Sequence, residues 1–191
     1  MGKLIQRTRG TYVNDDAVEN VIRYVTRTRA NEDRRNELIF FGGAGVAQEP
    51  EQMITQFKYI QRAFRSSASL GRKITHEIFS FHQQEIQELD RDKLMKFAYR
   101  CAFHYYSLGY QVVYAMHYNE SQDYHIHFTV NAVSYQNGKK WHSSMRDLAM
   151  REGLFNRYLY EAKNGLIPIQ LCSQPFRSPV CFDLSSGRSR V

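Results

Sequence analysis

No stretch of this 191-residue chain approaches the roughly 20 consecutive apolar residues that a membrane span requires. The N-terminal segment has no apolar core of the kind a secretion signal needs. Residues 3–6 lack the Ser or Thr that would complete the myristoylation pattern opened by Gly2. The chain therefore reads as cytoplasmic, with no membrane partner. Cysteine is scarce: Cys101, Cys172 and Cys181 are odd in number and form no CxxC pair. That excludes a disulfide scaffold and a thiolate zinc site, and leaves ordinary reduced thiols. Internal repeats and low-complexity stretches are absent. Acidic residues are outnumbered, 19 against 26 basic, for a net charge of +7.

A basic surplus suggests a polyanionic partner, most often nucleic acid. Arg23, Arg27, Arg29, Arg34 and Arg35 crowd one early segment, and Arg62, Arg65, Arg72 and Lys73 crowd another. Tyrosines number 13 and phenylalanines 12. Cations for phosphates and flat rings for bases are what single-stranded nucleic acid needs. The bland alternative is a set of core aromatics under a solvated arginine face.

Apolar and punctuating residues predict a helix over 15–28, a strand over 37–41 stopped by Gly42-Gly43, and a second helix from 49 to about 65. A polar loop over 66–71 leads to a strand over 73–81. A long helix over 90–108 ends at Gly109. Strands over 110–117 and 123–134 follow, then an Asn137-Gly138 turn and a helix over 143–162. The link between the last two strands is too short for a parallel crossover, so they form an antiparallel hairpin. The fold class is α+β, a central antiparallel sheet with helices packed on it. Residues 1–165 form one domain, and 166–191 read as an extended or loosely ordered tail.

Strand alternation places His125 and His127 on one face, with Ile126 turned away. The hairpin brings His117 beside them from the neighbouring strand. Three neutral imidazoles hold a divalent cation without reducing its charge, which suits it to polarise a phosphodiester. An HxH pair by itself occurs in many metal enzymes and by chance. The third histidine, across a hairpin, narrows the reading. Tyr24 sits at the edge of the helical stripe Val18, Val21, Ile22 and Val25, and alone would suit a core boundary. In the 73–81 strand, His76, Ile78 and Ser80 share a face. Lys73, with Ser66, Ser67 and Ser69 before it, makes a basic, hydroxyl-rich approach for phosphates.

In this order the three segments resemble the three motifs of MOB-P class plasmid-mobilisation relaxases, DNA-nicking enzymes of the His-hydrophobe-His (HUH) superfamily. Val21-Ile-Arg-Tyr24-Val-Thr26 resembles the motif of the nucleophilic tyrosine. Ser69 followed by Lys73-x-x-His76-x-x-x-Ser80-Phe81 resembles the second. His117 with His125-Ile-His127 and Asn131 resembles the third, although Asn119 stands where the family carries an acid.

The resemblance implies site- and strand-specific nicking and joining at a transfer origin, through a 5′-phosphotyrosine on Tyr24. It implies His117, His125 and His127 as ligands of Mn²⁺ or Mg²⁺. Ser69, Arg72, Lys73, His76, Arg23 and Arg27 would hold DNA, and Glu120, Asp123 or Asn131 would serve as acid/base or supporting residues. Its partners would be single-stranded or supercoiled origin DNA, accessory relaxosome proteins and a type IV secretion coupling protein, in a bacterial cytoplasm.

Three rivals stand beside it. Rolling-circle initiators and single-strand transposases place the tyrosine on a helix after the HxH strand, where Tyr158 and Tyr160 fall. A small-molecule hydrolase or hydratase would also use three histidines. A non-catalytic DNA-binding module would bind DNA with strong salt dependence and no cleavage.

Overall fold

The computed structural model describes residues 1–6, 12–30, 33–34, 37–64, 71–81, 86, 89–119 and 123–166. Among them run β1 (Lys3–Gln6), α1 (Ala17–Val25), β2 (Leu38–Ala44), α2 (Pro50–Ala63), β3 (Ile74–Ser80), α3 (Arg91–Ser107), β4 (Val112–Asn119), β5 (Asp123–Asn131) and α4 (Met145–Lys163). The five strands form one sheet in the order β1-β3-β5-β4-β2, and every neighbouring pair is antiparallel. The expected α+β architecture is present. The predicted loop over 66–71 and tail over 166–191 lie almost wholly outside the described residues.

The sheet separates two apolar cores. On one face α1 and α2 bury Val18, Val21, Ile22, Val25, Met53, Ile54 and Phe57 against Ile74, Val113 and Ala115. On the other, α3 and α4 bury Phe97, Cys101, Tyr105, Phe155 and Leu159 against Phe79, Met116, Ile126, Phe128 and Val130. The alternation of β5 is thus a division of labour, with histidines toward α1 and large apolar side chains toward α3 and α4.

Two expectations are corrected, and one strand is added. Gly42 and Gly43 do not stop β2 but lie inside it, paired with Tyr114 and Val113 of β4. A Cβ on Gly42 would fall 2.5 Å from the Tyr114 hydroxyl, and one on Gly43 would fall 2.2 Å from Val46 Cγ2. Glycine here permits close packing, not a turn. Helix α1 is shorter than predicted, because Arg27 takes a left-handed conformation (φ 54°) just beyond it. Strand β1 escaped prediction. It is a four-residue edge strand on β3, with Leu4 buried against the α3/α4 core.

Candidate metal and nicking site

The hairpin of β4 and β5 sets His117 directly opposite His125 in register, and Ala115 opposite His127. All three histidines are at least 95% buried. One nitrogen from each lies within 4.8 Å of the others, the separation a single divalent ion would bridge. Ring centroids stand 4.7 Å apart for His117 and His127, and 4.9 Å for His125 and His127.

Burial keeps the His117 and His127 rings neutral. It lowers the pKa of His117 to about 4, against the opposing effect of the Val25 carbonyl. It also pushes His127 well below its ordinary value, with His76, His117, His125 and Arg27 adding to the shift. At neutral pH both rings keep a lone pair for a cation. In His117, Nε2–H donates to the Val25 carbonyl at 2.7 Å, so the lone pair is on Nδ1, 3.4 Å from Arg27 Nη2. In His127, Nδ1 lies 2.8 Å from His76 Nε2, while Nε2 is buried without a hydrogen-bond partner. An orphaned imidazole nitrogen inside a three-histidine cluster fits a metal, because an empty apolar packing role would leave its desolvation uncompensated.

Tyr24 reaches this cluster from the last turn of α1. Its half-buried ring meets His127 edge-on, with centroids 5.9 Å apart. Two guanidinium groups face the ring, that of Arg27 at 4.9 Å and that of Arg29 at 5.3 Å from its centroid. Arg27 is itself 5% exposed and held by Glu37 at 2.6 Å. The carboxylate of Glu37 balances a buried cation beside the three-histidine cluster.

The other expected residues divide. Arg23, expected on DNA, is bound by Glu19 on its own helix and by both oxygens of Glu51 on α2, so it ties the two helices together. His76, also expected on DNA, is 2% exposed and supports His127 from beneath. Asn131 lies four residues beyond His127, about 13 Å along an extended strand. There it accepts from Gln61 and donates to Gln111 and to the Phe57 carbonyl, fastening α2 to the sheet away from the histidines. Lys73 Nζ approaches the exposed Asp15 at 3.5 Å, and the Arg72 carbonyl accepts from Lys140. Ser69 and Glu120 lie outside the described residues, as does the side chain of Asp123.

Tyr158 and Tyr160 belong to α4, on the opposite face of the sheet from the histidines. Tyr158 stacks on Phe155 under Arg100, and Tyr160 is solvent-exposed. The late-tyrosine alternative therefore lacks its geometry. Glu37 and Tyr12 escaped the sequence reading. The one available signal was an acid at the end of an arginine-rich run.

A family model, the nuclease domain of MobA/VirD2-like relaxases, matches residues 24–164. Two solved structures share the fold, both of the MobM relaxase domain (MOBV type) bound to Mn and to 22-nucleotide origin DNA of plasmid pMV158. One, whose DNA carries a 3′ thiophosphate, aligns with TM-score 0.56 and 15% identity over 83% of this chain and 86% of the other. The second aligns with TM-score 0.53 at the same identity and the same coverage. No curated protein matches in sequence.

Proposed function

The chain belongs to the MobA/VirD2-like relaxase nuclease family, and from that premise we propose that it nicks and rejoins one DNA strand at a plasmid transfer origin through Tyr24. The observation that carries this reading is the convergence of Tyr24, from α1, on the three-histidine cluster of β4 and β5.

The Tyr24 hydroxyl oxygen bonds to the scissile phosphorus as the bond from phosphorus to the 3′ oxygen breaks. The tyrosine loses its proton, the departing oxygen gains one, and the products are a 5′-phosphotyrosine and a 3′-OH. Reverse attack by a 3′-OH reseals the strand, because one phosphoester has merely replaced another. Arg27 and Arg29, over the tyrosine ring, favour the phenolate and the charge that grows on phosphate. The proton acceptor falls to an acid of the hairpin, Glu120 or Asp123.

His117, His125 and His127 would hold a divalent ion, Mn²⁺ or Mg²⁺, which when bound supplies Lewis acidity to the scissile phosphate. Zn²⁺, Ni²⁺ and Co²⁺ also suit an imidazole set. Ser69, Arg72 and Lys73 would steer the strand. Origin DNA, relaxosome proteins and a secretion coupling protein are its partners in this reading. Among the described residues, no helix is long and apolar enough to cross a membrane.

The test is purified protein with single-stranded origin DNA of its own element and Mn²⁺, resolved on a denaturing gel. The expected result is a metal-dependent covalent adduct that peptide mapping places on Tyr24 and that Tyr24→Phe abolishes while strand binding persists. An adduct on Tyr158 or Tyr160, or persistence in Tyr24→Phe, overturns the assignment.

A further inference from the structure

The histidine cluster continues behind His127. His76 is 2% exposed on β3, and its Nε2 lies 2.8 Å from His127 Nδ1. Its Nδ1 in turn lies 3.3 Å from the Tyr12 hydroxyl. A hydrogen bond between two imidazole nitrogens needs one proton and one lone pair, so the chain of contacts has a direction. If His127 offers Nε2 to a cation, its proton is on Nδ1 and donates to His76 Nε2. His76 then carries its own proton on Nδ1 and donates to the Tyr12 oxygen. The unpartnered state of His127 Nε2 agrees with that direction.

Tyr12 is built for the task. Its backbone is left-handed (φ 46°), and its carbonyl accepts from the Lys73 amide at 2.7 Å, at the entry to β3. A left-handed tyrosine is uncommon and is held only when its surroundings fix it. Its ring meets the His76 ring edge-on with centroids 6.2 Å apart.

We propose that His76 and Tyr12 are positioning residues, a relay that locks His127 in the tautomer and orientation required of a metal ligand. The proposal rests on the reading of His127 as a ligand. It moves His76 from the DNA-holding role expected of its motif to the support of the metal centre. Partners behind a ligating histidine fix its tautomer and raise its basicity, and losing one typically costs 10–100-fold in metal affinity.

Mn²⁺ titration of the full chain, without DNA, separates the outcomes. Wild type binds, and His127→Ala does not; equal binding by the two overturns both the relay and the ligand assignment. His76→Phe keeps the ring volume but removes the acceptor, and is expected to weaken Mn²⁺ binding by about 10–100-fold. His76→Gln restores an acceptor and recovers most of the loss. Tyr12→Phe, which deletes one hydroxyl, weakens binding in the same direction by less. Long-range ¹H–¹⁵N spectra of the metal-free wild type should show His127 protonated on Nδ1. Wild-type affinity in folded His76→Phe, no recovery in folded His76→Gln, or His127 protonated on Nε2 would each overturn the relay.

Discussion

Arg27 links the tyrosine to the histidine cluster. Its guanidinium faces the Tyr24 ring, approaches His117 Nδ1 and pairs with Glu37, all from a left-handed backbone. Removing the charge of Glu37 strands a buried cation, for which full burial would cost about 3–5 kcal/mol. Because 18% of the Glu37 side chain remains exposed, Glu37→Gln is expected to destabilise by about 2–4 kcal/mol, read by chemical denaturation. At this scale the sequence showed what the backbone repeats. His125 and His127 share a face by alternation alone, and His117 joins them because the hairpin is short. The Arg27–Glu37 and Tyr12–His76 contacts were not legible. They join residues 10 and 64 positions apart, and two of those residues take positive φ, which nothing in their side chains announces.

Elements were legible where periodicity ran long. Helix α4 begins at a capping box in which the Ser144 hydroxyl accepts from the Asp147 amide and the Asp147 carboxylate accepts from the Ser144 amide. Ser144→Ala should lower stability by about 0.5–2 kcal/mol in thermal melts while leaving nicking intact, since α4 lies across the sheet from Tyr24. The β2 glycines misled because their meaning depends on Tyr114 and Val46, which local sequence does not reveal. Gly43→Ala forces Val46 to shift in a packed core and is expected to cost about 1–3 kcal/mol by denaturant unfolding. Strand β1 was hidden for the opposite reason, since four residues with one buried side chain carry too little pattern.

Across the whole molecule, the core under α3 and α4 contains its own polar knot. Glu77, fully buried on β3, accepts from the Tyr105 hydroxyl at 2.7 Å and pairs with Arg151 at 2.7 Å. Burial, reinforced by Glu77, holds the Tyr105 pKa well above its ordinary value of 10. The folded chain therefore keeps this proton where the unfolded chain releases it. The resulting stability is complete below pH 10 and is lost as pH rises beyond it. Melting temperature should fall above pH 10, and Tyr105→Phe should flatten that fall in a pH series of thermal melts. This knot and the histidine cluster meet on adjacent residues of one strand, His76 toward α1 and Glu77 toward α3. The sheet thus imposes a parity rule on how such a chain changes over time. Inserting or deleting one residue within β3 or β5 exchanges the two faces beyond that point, sending phenylalanines to the histidine side and imidazoles into the oily side. Only even-numbered changes keep every side chain on its own face. Changes of odd length are therefore tolerated in the connections and not within these two strands.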